Sequence, residues 1–384
     1  MNKLILKAAA LSIIGLSIIL PSLYAANSNT IFKDQVAVIM YHHVDDEAKS
    51  SGTVTTQLFK DQLSLLKNKG YQFITLQQFK EFMQGASVPH NAVLVTFDDG
   101  YESFYTNAYP ILKSMRIPAV NFVITGDLED PLASYIPSMS RDEIVEMTSD
   151  TNFIDLQCHT NSMHQKLPDD SAMLIGRIIT NGTKETEDEY KQRVLTDTGQ
   201  CISKLSELYP EPIDSYAYPF GIYDKLSSQY IQQAGMKFAF TIVPEMATRD
   251  LEPLQIPRIN AGNSAISPEG LEASIKRRVV ATNHPFNEVP LMETMGQLGG
   301  KATMNSKSQV QIQFQNTSWI GTINSQKLTS LTGGKTLNLQ KPLYMKNNVV
   351  YIGIKDLENA IGVQIVYNPT VQSFSVRQTP AVKP

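Results

Sequence analysis

Val95–Gly100 reads VTFDDG, an apolar run that passes straight into two adjacent aspartates and a glycine. Extended backward to Val93 it is a buried strand, so the carboxylates of Asp98 and Asp99 stand at a strand end. Two neighbouring carboxylates there are unfavourable unless positive charge stands close by. Downstream, Leu156–His164 reads LQCHTNSMH and places His159 directly after a second apolar strand. One carboxylate with two imidazoles suits a divalent metal and leaves coordination positions for water and a carbonyl oxygen. His159 and His164 are five positions apart, about 140° around a helix, so they cannot share a helical face. They converge if His159 ends a strand and His164 lies on the loop after it. Consecutive residues point in different directions, so one aspartate can hold metal while the other faces a substrate. A lone Asp-Asp is usually a solvated turn, and two nearby histidines are often surface residues. Their joint placement after apolar strands is what points to a metal-dependent hydrolase.

Working outward, Val36–Met40, Tyr71–Leu76, Ala119–Thr125, Phe153–Cys158, Ser215–Tyr218 and Met236–Ile242 read as further strands. Between them lie amphipathic stretches: a face of Phe59, Leu63 and Leu66 closing at Gly70, a helix ending at Gly85, and Phe104–Met115. Thr75 and Gln78 form a capping box for the second of these. Repeated βα units predict an α/β fold, a distorted (β/α)7 barrel with ligands gathered at the carboxyl ends of its strands. The segment Asp169–Tyr209 reads as an insertion followed by a long polar helix with a solvated face.

The chain has 384 residues, 42% hydrophobic and 18% charged, with a net charge of −4. That length accommodates a large core plus a smaller module, and that charge gives no reason to expect a nucleic-acid partner. Residues 1–26 read as an export signal: Lys3 and Lys7, the apolar run Ala8–Leu20, then Ala25 and Ala26. An uncleaved anchor is the alternative. The expected location is secreted or associated with the cell envelope. Cys158 and Cys201 are too few for a disulfide framework, and Cys158 reads as a small buried filler beside the site or, less simply, a further metal ligand.

The expected division is a main domain over 27–285, a linker over 286–308 rich in Gly, Met, Ser and Lys, and a small α+β module over 309–384. Val310, Ile312 and Phe314 alternate with glutamines, a half-buried strand. Lys341–Arg377 reads strand, Asn-Asn turn, strand, short helix and two more strands. This module holds Trp319 and no histidine. In its order of elements it resembles the N-terminal module of copper amine oxidases.

VTFDDG, His159–His164 (HTNSMH) and Ala217–Gly221 (AYPFG) together resemble the three motifs of the polysaccharide deacetylases, the NodB-like carbohydrate esterases of family 4. The resemblance spans roughly Val36–Arg278. It implies that Asp98 is the catalytic base and that Asp99, His159 and His164 bind zinc or another divalent transition metal. It also implies that the turn Tyr218, Pro219, Phe220, Gly221 supplies the oxyanion contact. The histidine spacing is one longer than in most members, no Asp-x-x-x-Trp motif is visible, and no Leu-x-x-His follows near the end. Met40–Val44 reads MYHHV instead. This arrangement looks like the permuted branch that deacetylates poly-N-acetylglucosamine, and it implies that His42 is the acid. His43 then points elsewhere, His284 is a weaker acid candidate, and His90 is a loop residue. Arg258 is expected to pair with Asp98 and keep it ionised. The implied substrate is an N-acetylglucosamine-containing polysaccharide, poly-N-acetylglucosamine first, with peptidoglycan or chitooligosaccharides next. A non-catalytic wall-glycan-binding protein and a small-molecule amide hydrolase are the rival readings, and the C-terminal module is a candidate tether to the cell envelope.

Overall fold

A computed structural model describes residues 30–281, 286–306 and 308–377. The expected export signal and His284 lie outside the described residues. The first region is built on eight parallel-paired strands: β1 Val36–Tyr41, β2 Gln72–Phe73, β3 Ala92–Phe97, β4 Ala119–Val123, β5 Ile154–Cys158, β6 Ser215–Ala217, β7 Phe238–Phe240 and β8 Ile259–Asn260. Their order is β7-β6-β5-β4-β3-β1-β8, with β2 pairing the start of β3.

The two edges meet. Phe240 bridges Ile256, whose N–H donates to Ala239 O at 2.8 Å, and the chain then runs into β8, where Ile259 pairs with Ile39 of β1. The result is the distorted α/β barrel expected from the βα repeat. β1 and β3 are buried along their whole length, as strands covered on both faces must be. Their alternate residues enter different cores. Val36, Val38 and Leu94 join Val120, Phe122, Ala217, Phe240 and Ile256, drawn from around the ring, while Ala37, Ile39, Val93 and Val95 pack on the helices outside.

Those helices are α1 Thr56–Asn68, α2 Leu76–Met83, α3 Tyr109–Met115, α4 Arg141–Asp150, α5 Glu187–Ser206, α6 Lys225–Gln233 and α7 Pro268–Lys276. The Thr75/Gln78 capping box opens α2 as expected, and Phe79 and Phe82 of that helix join the inner core. A turn of π-helix over Phe104–Ala108 precedes α3, a departure from the single α-helix expected there. The polar helix expected within Asp169–Tyr209 is α5. One face is solvated as expected, with Glu187, Asp188 and Glu189 exposed, while the other buries Tyr190, Val194, Asp197, Thr198, Cys201 and Leu205. Cys201 forms a disulfide with Cys158 at the end of β5. Cys158 is therefore neither a filler nor a ligand; its sulfur is committed to α5.

The second region begins earlier than expected. The stretch 286–308, read as a linker, contains β9 Glu288–Pro290, α8 Leu291–Gln297 and β10 Lys301–Met304. Leu291, Met295 and Leu298 follow helical spacing and are buried in a separate apolar core, so this segment is the module's own structure. The remainder is β11 Gln309–Phe314, β12 Thr317–Thr322, β13 Lys327–Ser330, β14 Thr336–Asn338, β15 Tyr344–Lys346, β16 Val349–Gly353, α9 Ile354–Ile361, β17 Ile365–Asn368 and β18 Ser373–Val376. β10 to β14 form an antiparallel meander, and β16 lies between β9 and β15. Asn347 and Asn348 both take left-handed backbone between β15 and β16, the conformation an Asn-Asn hairpin turn requires. The two regions touch where Ala281 N–H donates to Tyr367 O at 2.7 Å and Asn368 Nδ2 donates to Lys276 O at 2.8 Å.

Candidate active site

The turn after β3 separates the two aspartates. Asp99 and Gly100 both have positive φ, 75° and 76°. A Cβ on Gly100 would sit 3.0 Å from Val123 Cγ1, so glycine meets both the backbone and the space requirement there. The carboxylates consequently face different partners.

Asp98, 3% exposed, lies against Arg258, which is fully buried. Nη1 and Nη2 of Arg258 donate to the two Asp98 oxygens at 2.6 Å each, and Nε donates to Thr241 O at 2.9 Å. Burial alone pushes the Asp98 carboxyl up, but the guanidinium, with help from His159 and His42, holds it below its ordinary value. His42, directly after β1, places Nε2 at 3.9 Å from Asp98 Oδ2 and keeps its side chain 30% exposed. Its Nδ1 is buried with no hydrogen-bond partner among the described residues.

Asp99 faces the two histidines. His159 Nε2 and His164 Nε2 are each 3.4 Å from Asp99 Oδ1. His159 Nδ1 lies 2.8 Å from Ala217 O. A carbonyl only accepts, so Nδ1 carries a proton and Nε2 is the ring atom left to meet a cation. Burial lowers His159, but the Asp98 and Asp99 carboxylates outweigh it and raise the ring above its ordinary value. One ligand atom from each of Asp99, His159 and His164 converges here, all within 4.8 Å of one another. Asp99 Oδ1 is buried with no hydrogen-bond donor among the described residues. Three potential ligand atoms converging on a common point is an arrangement a divalent cation satisfies, and the donor set fits a transition metal. Burial raises Asp99, yet the imidazoles outweigh it and hold the carboxyl low. Burial and the neighbouring His159 lower His164 to about 4, which keeps that ring neutral, as a ligand must be. The His164 ring centroid is 4.4 Å from that of Phe220.

The Tyr218–Gly221 turn contributes less than the whole segment expected of it. Tyr218 N–H is spent on Phe240 O at 3.1 Å, its phenol donates toward Leu254 O, and the side chain is buried. Pro219 has no N–H, and Gly221 N–H donates to Tyr218 O at 2.8 Å. Phe220 N–H takes part in neither of these two bonds. Phe220 and Gly221 have φ of 58° and 66°, and a Cβ on Gly221 would fall 2.3 Å from Ile242 Cγ1.

His43 turns away, as expected: it is buried, with Nδ1 3.1 Å from Thr53 Oγ1 and its ring edge-on to Tyr101. His90 is exposed beside Thr30. Sequence reasoning missed Tyr101 and Asp127, which line a cavity of about 620 Å³ with Asn161, His164 and Tyr135. Asp127, half-buried beside Ser138, has its carboxyl raised by burial. A tyrosine two positions beyond the aspartate pair was the available signal.

The strand ends of the barrel thus carry a buried aspartate paired to arginine beside an Asp-His-His cluster able to hold a metal, the arrangement of a metal-site hydrolase of the deacetylase type. Residues 85–239 match the polysaccharide deacetylase family and residues 277–376 match the copper amine oxidase N-terminal domain. The chain carries a polysaccharide deacetylase domain, and its enzyme class is polysaccharide deacetylase. The first match includes Asp98, Asp99, His159, His164 and Tyr218–Gly221; His42, directly after β1, and Arg258, directly before β8, lie outside it. Among curated proteins, the chain is 28% identical over 225 residues to a poly-beta-1,6-N-acetyl-D-glucosamine N-deacetylase of Staphylococcus aureus, covering 59% of this chain and 71% of that one. Its fold is shared with a de-N-acetylase from Aggregatibacter actinomycetemcomitans (21% identity, TM-score 0.57, 63% of this chain and 100% of the other). It is also shared with IcaB from Ammonifex degensii (24% identity, TM-score 0.54, 63% and 97%).

Proposed function

We propose that this enzyme removes N-acetyl groups from poly-N-acetylglucosamine outside the cytoplasm. The observation that carries the reading is the junction of Asp98, bound by Arg258 and facing His42, with the Asp99, His159 and His164 cluster. The similarity to the staphylococcal deacetylase supports the choice of polymer. Asp99 Oδ1, His159 Nε2 and His164 Nε2 would hold the cation, for which zinc suits the donor set, and it would supply Lewis acidity toward the acetyl carbonyl and the attacking water.

The chain's own groups divide the remaining work. Asp98, kept ionised by Arg258, accepts a proton as the water oxygen attacks the acetyl carbon. Phe220 N–H is the donor left within the turn for the charge that develops on the carbonyl oxygen. His42, protonated at Nε2, delivers a proton to the amide nitrogen as the C–N bond breaks, releasing acetate and a free amine. Described helices include none long and apolar enough to cross a membrane. Location outside the cytoplasm therefore rests on the expected export signal and on the polymer.

Acetate release from β-1,6-linked N-acetylglucosamine oligomers by the zinc-loaded protein, beside Asp98→Asn, tests this. Release that falls about 10²–10⁴-fold in the variant supports substrate and base together. No release by zinc-loaded wild type on these oligomers rejects the polymer.

A further inference from the structure

Between the two histidines the chain adopts a backbone that Thr160 should resist. Thr160 has φ of 109°, a strained region that a β-branched residue enters only when its surroundings enforce it. The enforcing group lies on α5, the helix that reads as a solvated insertion. Asp197, 4% exposed, accepts four hydrogen bonds from three successive loop residues. Thr160 Oγ1 and Asn161 N–H donate to Oδ1 at 2.5 and 2.9 Å; Ser162 N–H and Ser162 Oγ donate to Oδ2 at 2.7 and 3.1 Å. No lysine or arginine pairs with this carboxylate among the ion pairs of the described residues, so its buried charge is satisfied by the loop. One turn further along α5, Cys201 is bonded to Cys158. The same helix face thus grips the residue before His159 and the three residues after it. Met163 N–H, adjacent to His164, donates in turn to Thr160 Oγ1 at 3.0 Å.

We propose that Asp197 is a positioning residue that sets the separation and aim of His159 and His164, with the Cys158–Cys201 bridge as its second anchor. The inference rests on reading Asp99, His159 and His164 as the metal site. A five-position spacing leaves four residues between the ligands, one of them strained, and Asp197 converts that slack into a fixed loop. Asparagine at 197 keeps the shape, but its amide NH₂ would face the Ser162 donors or the Thr160 and Asn161 donors. The hydroxyl on that side can turn and accept, but the backbone N–H bond there is lost in either orientation.

The test measures zinc affinity by chelator competition and the visible spectrum of the cobalt-substituted full chain, for wild type, Asp197→Asn and Ser162→Ala. The expected result for Asp197→Asn is affinity weakened about 10–100-fold, an altered cobalt spectrum and reduced kcat with KM little changed. Ser162→Ala, an exposed residue whose loss leaves folding intact, should show a smaller loss of affinity in the same direction. Wild type that binds zinc, with both variants matching it in affinity and spectrum, overturns the proposal even if Asp197→Asn melts earlier. Wild type that binds neither zinc nor cobalt overturns the metal reading itself, and the proposal with it.

Discussion

Around the carboxyl ends of the barrel strands, Asp98, Asp99, His159 and Arg258 are all 5% exposed or less; between residues 286 and 377 the buried polar side chains among the described residues are Thr294, Asp356 and Asn368. Asp356 serves the fold alone. It sits in the first turn of α9, and its carboxylate accepts from Gln340 N–H at 3.0 Å. The module otherwise closes around Val289, Leu291, Met295, Val310, Ile312, Leu357 and their neighbours. Apolar packing gains stability simply by leaving water. Buried charge is stabilised only when its partners are in place, and loss of one partner leaves the other exposed to the full desolvation cost. The barrel top therefore concentrates buried charge, and the module rests mainly on apolar packing.

The sharpest way to break this contrast is Asp99→Ala. Activity should vanish and stoichiometric zinc uptake should fail in equilibrium dialysis, while the module's fold is untouched. Next is Asp98→Ala, which strands the Arg258 guanidinium at zero exposure. Urea unfolding should show a loss of about 3–5 kcal/mol, and a near-neutral result would mean that water reaches Arg258. The same pair has a pH signature. Asp98 ionises below the free carboxyl in the folded chain, so its stabilisation is fully present above about pH 4. It is lost as pH falls through the lower folded value. Unfolding midpoints of the metal-free protein at stepped acid pH should trace that loss, and Asp98→Asn should flatten it.

On the module side, Leu357→Ala should destabilise by about 2–5 kcal/mol through a cavity and leave acetate release from short oligomers unchanged. A fall in kcat there would show that the two regions are coupled. The smallest effect belongs to their junction. Arg377, whose Nη1 lies 2.7 Å from Asp250 and whose Nη2 donates to Thr248 Oγ1 at 2.6 Å, should cost about 1 kcal/mol when changed to Ala. Calorimetry would register this as a modest shift without loss of activity.

Much of the barrel was legible because its strands are apolar runs long enough to read singly, and because Asp98, Asp99 and His159 follow such runs directly. His42 could be named from the resemblance and Arg258 only as a candidate partner for Asp98, since their meeting with Asp98 depends on a ring closed far along the chain. Asp197 was not legible: on a helix with Glu187, Asp188 and Glu189 in its first turn, an aspartate holding a loop reads the same as one facing water. The disulfide escaped for a related reason, since 43 residues separate its cysteines and their proximity is a property of α5 packing. The misread linker did carry a signal. Leu291, Met295 and Leu298 lie at helical spacing, but Gly296, Gly299 and Gly300 around them suggested a flexible stretch.

The bond between Arg258 and Asp98 spans 160 positions of sequence, and Arg258 lies directly before β8, the strand that closes the ring onto β1. Order of synthesis now matters. A chain emerging from its amino end completes Asp98, Asp99 and both cluster histidines long before residue 258 appears, and until then the base has no guanidinium to hold it charged in a dry site. Non-local pairing of this kind forms late in folding. Closing the ring and charging Asp98 are consequently linked, so a chain that lacks residue 258 holds the Asp99, His159 and His164 cluster without the guanidinium beside it.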